Sequence, residues 1–163
     1  MMAANMVSRD QLKTQVAFHY EQSGRRLPTF WLLPAAFVAS TRAGILIRII
    51  TTAPRWIARL CRELLILTAG SDVTPNATVL GPIFVPHPVG IVIGDGVVLH
   101  PNVSIYQNVT LGRDGTGRYP VVGAGATLFA GCVVVGGISL GENVRIGANR
   151  VVNSDIPSDR DRD

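Results

Sequence analysis

The chain has 163 residues, 47% of them hydrophobic and 16% charged, which is too apolar for a disordered chain and enough for one ordinary globular domain. Its formal charge of +4 is unevenly held: up to Glu63 nine Lys and Arg stand against three acids, whereas the remainder carries six against eight. Cys61 and Cys132 are the only cysteines and lie far apart, which argues against a disulfide framework or a thiolate metal site and for a reducing compartment, the cytoplasm.

The N-terminus does not show the order of basic region, apolar stretch and small-residue cleavage site that marks a signal peptide. From Leu27 to Thr41 fifteen residues pass without a charge, yet about 20 are needed to span a bilayer, and Pro34 interrupts the run. Residues 42 to 67 read as helix, with Arg42, Arg48, Arg55, Arg59 and Arg62 breaking up Ile, Leu and Trp positions. The plain expectation for segment 1–69 is a helical cap packed on the main domain, with His19 in a structural role. A sharper one is a membrane-surface helix, because arginines beside Trp31 and Trp56 suit an anionic lipid face; the protein would then sit at the periphery of the inner membrane face. Nucleic acid is not expected as a partner, since no known motif is present and the basic charge lies on an apolar segment.

After Gly70 a strict period takes over. Val73, Val79, Val85, Ile91, Val97, Val103 and Val109 follow one another every six residues; the register breaks across "GRDGTGRYPV" and resumes with Val122, Leu128, Val134, Leu140, Ile146 and Val152. Neither a helix nor an alternating strand has this spacing. It suits a prism with short strands as flat faces and turns as corners, three hexads making one coil of about 18 residues whose aliphatic side chains stack inward. The period predicts a mainly β domain over 70–156, with 112–121 as a loop projecting from a corner and 157–163, rich in alternating charge, as a disordered tail.

Within that frame "DVTPNATV", "HPVGIVIG", "VSIYQNVTLG", the projecting loop and "IGANRVV" together resemble the serine acetyltransferase branch of the hexapeptide-repeat acyltransferases. The resemblance covers residues 70 to 156 and implies a left-handed parallel β-helix preceded by a helical segment. It implies a homotrimer with acetyl-CoA, a co-substrate, bound between subunits, and no metal. It makes His87 the catalytic base and Asp72, fifteen residues earlier, the group that orients it. With a coil of about 18 residues, Asp72 should lie beneath Gly90. A neutral imidazole can accept a hydroxyl proton, and a carboxylate on its far nitrogen fixes the tautomer and favours the imidazolium that follows. The acceptor oxygen would attack the thioester directly, with no acyl-enzyme. Gly112, Ala130 and Ala148 match small positions along the groove that takes the pantetheine arm. Arg145 or Arg150 could meet the phosphates of CoA, although no motif stands behind either. His100 matches no functional position and reads as a surface corner residue.

Departures from the family concentrate at the acceptor. Serine-specific members carry an aspartate just before the catalytic histidine, where this chain has Pro86, and end the loop with Arg-His, where this chain has Arg118 and Tyr119. The loop is also three residues shorter than usual, and the "Gly-x-Pro-Ala" segment that closes the CoA site in relatives is lacking. A hydroxyl of a saccharide, in surface polysaccharide synthesis, is therefore expected as the acceptor, with serine as the alternative. A zinc-dependent β-helix enzyme would need three converging histidines, and the repeat region holds only His87 and His100. A non-catalytic scaffold would have no use for Asp72 and His87.

Overall fold

The computed structural model describes residues 8–27 and 38–158; Trp31, Pro34 and residues 159–163 of the expected tail lie outside the described residues. Among the described residues three helices come first. Helix α1 (Arg9–Gln22) begins in a capping box: the Ser8 hydroxyl accepts from Gln11 N, and the Gln11 side chain accepts from Ser8 N. The helix expected over 42–67 is two, α2 (Ala39–Thr52) and α3 (Arg55–Ala69). Pro54 breaks it: proline lacks the N–H that an interior turn needs and drives the preceding residue out of helical space, and Ala53 is extended with φ −79° and ψ 164°. Helix α3 stops where Gly70 turns left-handed, with φ +59°.

Thirteen short strands follow among the described residues, β1 to β13 in chain order, and wind into the left-handed parallel β-helix with an N-terminal helical segment. One sheet stacks β1 (Asp72–Val73), β4 (Val92–Ile93), β7 (Thr110–Gly112), β10 (Val133–Val135) and β13 (Val151–Val152). A second stacks β2 (Thr78–Val79), β5 (Val98–Leu99), β8 (Val121–Val122) and β11 (Ser139–Leu140). The third stacks β3 (Ile83–Phe84), β6 (Val103–Ile105), β9 (Thr127–Leu128) and β12 (Arg145–Ile146). All thirteen hexad aliphatics are buried. Between them Ile83, Ile93, Leu99, Ile105, Leu111, Ala126, Cys132, Ile138 and Val144 also point inward, so a face buries residues two apart, as the two-residue alternation of a strand requires.

The stacking differs from the sequence expectation in register. Val73 pairs with Ile93 rather than Ile91, and Asp72 with Val92 rather than Gly90, because the first coil is twenty residues long. The next step, Val92 to Thr110, is eighteen. Since Phe84 still pairs with Ser104, the two extra residues fall between Val85 and Ile93, at the corner that holds His87. The projecting loop lengthens the third coil, where Thr110 pairs with Val133. At the far end Gly141 N donates to Ile156 O, and an added Cβ on Gly141 would lie 2.2 Å from Ser158 N, so 157–158 rest against the last coil.

The helices cover the first coil. The Gln15 side chain, 2% exposed, closes the edge of β3 by donating to Ile83 O at 2.7 Å and accepting from Ile83 N at 3.0 Å. Arg48 donates to Val79 O on β2, and Arg62 reaches β1. His19 is buried, 2.9 Å from the Ser40 hydroxyl and against Phe84; burial, with Arg25 nearby, lowers its pKa, as suits a neutral ring in a packing role.

Candidate active site

His87 stands on a corner built to stick out. Pro86 and Pro88 hold φ on either side of it, and Val89 N donates to His87 O at 2.8 Å in a tight three-residue turn. Gly90 then turns left-handed with φ +66°, and an added Cβ there would sit 2.2 Å from Asn108 Oδ1 on the next coil, so only glycine fits. From the buried side Ser71, 1% exposed, clamps the corner: its hydroxyl donates to Pro88 O at 3.1 Å and accepts from Ile91 N at 3.0 Å. Replacing Ser71 with alanine leaves both backbone groups unpartnered and should cost about 1–3 kcal/mol of unfolding free energy. Denaturant titration reads this directly, and an unchanged midpoint would refute the clamp.

The imidazole itself is exposed and makes no hydrogen bond among the described residues. Its ring leads a ladder down the corner: Tyr106 lies at 6.4 Å between centroids, Phe129 stacks on Tyr106 at 5.3 Å, and the Arg145 guanidinium covers Phe129 at 5.2 Å. The Gln107 side chain, next after Tyr106, has its Oε1 buried without a partner.

Asp72 does not bond His87. Both its oxygens accept from Arg62 on α3, Oδ1 from Nε at 2.6 Å and Oδ2 from Nη2 at 2.8 Å. That pairing holds the carboxyl below its ordinary value, with partial burial opposing. The pair's contribution to stability is therefore present above the ordinary carboxylate range and lost as pH falls through the lowered folded value; with both partners about a third exposed it is small. A carboxylate offers about four lone-pair sites, so the fork from Arg62 fixes the plane of Asp72 and leaves acceptor capacity on it.

The loop residues are not brought to His87 within one chain. Tyr119 lies over the following corner, its ring occupying the space beside Gly94 and Gly96, where an added Cβ would come within 2.5 and 2.4 Å of ring carbons. Arg118 is folded back into its own loop, donating to Thr116 Oγ1 at 2.8 Å and to Asp114 Oδ2 at 3.2 Å. Asp114 is the loop's anchor; hydrogen bonds from Thr116 and Arg118 push its pKa far down. Pro86 is half-buried beside His87 and has no polar side-chain atom to hold an ammonium.

Of the small positions, Gly112 lies on β7, and an added Cβ there would meet only ordinary contacts, the nearer Val135 Cγ1 at 3.6 Å. Nothing within the chain demands glycine at that point. Ala130 and Ala148 occupy successive corners linked by Asn149 N donating to Ala130 O. Arg145 is engaged with Phe129, and Arg150 is exposed one residue after Asn149. His100 is half-buried, with its backbone in the coil-to-coil ladder. No described group of three or more His, Cys, Asp or Glu could hold a metal ion. Burial raises both thiol pKa values, that of Cys132 to about 11, so neither is a thiolate near neutral pH.

Sequence reading alone missed Ser71, Arg62 and the aromatic ladder. Only the ladder left a signal: Tyr106 and Phe129 each follow an inward residue, Ile105 and Leu128, that pair in register.

No protein-family profile matches the chain. It is 43% identical over 108 residues to the serine acetyltransferase of Synechococcus elongatus, covering 63% of this chain and 43% of that protein. It is 40% identical over 108 residues to that of Helicobacter pylori, covering 63% and 62%. Among solved structures it superposes on serine acetyltransferase 1 of Entamoeba histolytica with a TM-score of 0.76 at 31% identity, covering 92% of this chain and 60% of that one. On the Neisseria gonorrhoeae serine acetyltransferase in complex with serine the TM-score is 0.78 at 27% identity, covering 92% and 63%. The chain thus spans less than two thirds of the length of each of these relatives.

Proposed function

We propose that this chain, whose β-helix belongs to the serine acetyltransferase branch of the hexapeptide-repeat acyltransferases, is an acetyl-CoA-dependent O-acetyltransferase with serine as its acceptor. The observation that carries the activity is His87: an exposed imidazole without an internal partner, on a corner widened by two residues and clamped from beneath by Ser71. A packing histidine needs none of that support.

In the reaction His87 takes the proton of the acceptor hydroxyl as its oxygen attacks the thioester carbonyl. The tetrahedral intermediate collapses with cleavage of the C–S bond, and the departing CoA sulfur takes the proton from the imidazolium. No acyl-enzyme forms, in keeping with the raised thiol pKa values of Cys61 and Cys132. Asp72, held ionised by Arg62, keeps acceptor capacity that the orienting role implied by the resemblance would use. Gly112, Ala130 and Ala148 leave the space along the coils that a pantetheine arm needs, and an arginine at 145 or 150 would meet the CoA phosphates. A homotrimer would bring a neighbour's loop to His87. The outer side of the first sheet, with Val92, Val133 and Val151, is aliphatic enough to pack against another copy.

Serine is favoured by the names of the relatives, in place of the saccharide that the departures at Pro86 and Tyr119 lead one to expect. The saccharide remains as a second reading on one observation: Pro86, which has no group for an ammonium, precedes His87. Release of CoA thiol from acetyl-CoA, measured with serine and with a panel of sugars and nucleotide sugars at equal concentration, separates the readings. Faster release with serine is the expected result; faster release with a sugar moves the assignment to the second reading, and release with none of them removes both.

A further inference from the structure

Helix α3 turns two faces to different surroundings. Ala58 and Leu65 are 0% and 1% exposed against the rest of the fold. On the opposite side Trp56 is 66% exposed, Leu60 64%, Leu64 45% and Leu67 82%. These four lie at helical spacing and form one outward stripe, about 16 Å long from Trp56 to Leu67 at the helical rise. Among the described residues the other large exposed apolar side chains lie on the β-helix: Leu80 and Val89 stand singly, and Val92 and Val151 belong to the outer column of the first sheet. A stripe of this kind on a helix with its own buried face calls for a partner.

Charge says which partner. Arg55 and Arg59, both exposed and one turn apart, flank the stripe on one side, and together with Arg62 they line a shallow cleft with Pro75 and Asn76. Arg62 is spent on Asp72, which leaves two cations beside the apolar ridge against one acid, Glu63, on the whole helix. Trp56 stands at the same end as Arg55, and an indole beside a guanidinium suits headgroup depth, apolar body inward and N–H outward. Four side chains on a single helix fall well short of the roughly 800 Å² per partner that a stable protein interface buries. A bilayer sets no such threshold of shape. No described helix is long and apolar enough to cross a membrane, so the helix would lie on the surface.

We infer that α3 docks the protein flat on the surface of a bilayer containing anionic phospholipid, with Trp56, Leu60, Leu64 and Leu67 in the acyl boundary and Arg55 and Arg59 on the phosphates. The contact is independent of which hydroxyl is acetylated.

The test is co-sedimentation of the full chain with vesicles of phosphatidylcholine, with and without phosphatidylglycerol. The protein should pellet with the anionic vesicles, release as salt rises, and ignore the zwitterionic ones. Trp56 fluorescence, read in a Trp31→Phe background, should shift to the blue on binding. Trp56→Ser with Leu67→Ser should weaken binding at least tenfold. Arg55→Gln with Arg59→Gln should weaken it by roughly thirtyfold, the effect of two basic residues at an anionic surface. Since all four positions are exposed, circular dichroism and thermal melts should match the unaltered protein. Failure to pellet with anionic vesicles overturns the inference, as does undiminished binding by the variants. A fall in oligomer mass on light scattering when Trp56 and Leu67 are replaced would also overturn it, by assigning the stripe to a second copy of the chain.

Discussion

His87→Ala should lower acetyl transfer by the roughly 10²- to 10⁴-fold that a positioned general base supplies, and leave the fold intact. The ring is exposed, with Tyr106 tilted beside it at 6.4 Å between ring centroids, so removing it opens no enclosed cavity. The loss should fall on kcat rather than on KM for acetyl-CoA, because the groove positions Gly112, Ala130 and Ala148 are untouched. Asp72→Asn should cost less, since the base stays in place and only the charge behind it goes. Steady-state kinetics on both variants, with circular dichroism to check folding, decides the matter. Undiminished turnover in His87→Ala would end the assignment of the base.

The largest effect on stability should come from the aliphatic ladder. Leu111 sits at the middle of the column Val73, Ile93, Leu111, Val134, Val152, in register across five strands, and is 0% exposed. Leu111→Ala should cost about 2–5 kcal/mol, the transfer term plus the cavity left behind. The upper half of that range is favoured because the surrounding strands are tied coil to coil on both sides: Gly94 N donates to Leu111 O, and Val134 lies above. Such a site cannot collapse inward. Denaturant titration should show the midpoint falling at constant slope. A loss below about 1 kcal/mol, the scale of a surface substitution, would mean that the column carries less of the fold than its burial implies.

The prism was legible because its cause is local and repeated. A six-residue period of aliphatic side chains admits few ways to bury one face, and all thirteen of those residues are inside. The fold departs from the sequence expectation in two ways, one hidden from the hexads and one readable at a single residue. The coil length of eighteen holds from Val92 to Thr110 but not from Val73 to Ile93, because nothing in the hexads says that the corner around His87 is two residues wider. That widening moves Asp72 from beneath Gly90 to beside Val92. Pro54 could have divided the helix over 42–67 from sequence alone, since the missing N–H is a property of the residue itself.

His87 was singled out by the family resemblance that "HPVGIVIG" carries, and its flanking prolines and Gly90 mark a corner there. What surrounds it was not. Ser71 comes from the turn between α3 and β1, Arg62 from α3 and the Tyr106–Phe129 stack from the later coils, and the pairing of Asp72 with Arg62 rather than with His87 depends on how that helix lies across the first coil. Likewise nothing in the sequence at Tyr119 says that the bare backbones of Gly94 and Gly96 make room for its ring. Local backbone preference and repeat period are written residue by residue, whereas a side chain's partner is set by whichever segment the packed chain brings within a few ångströms of it.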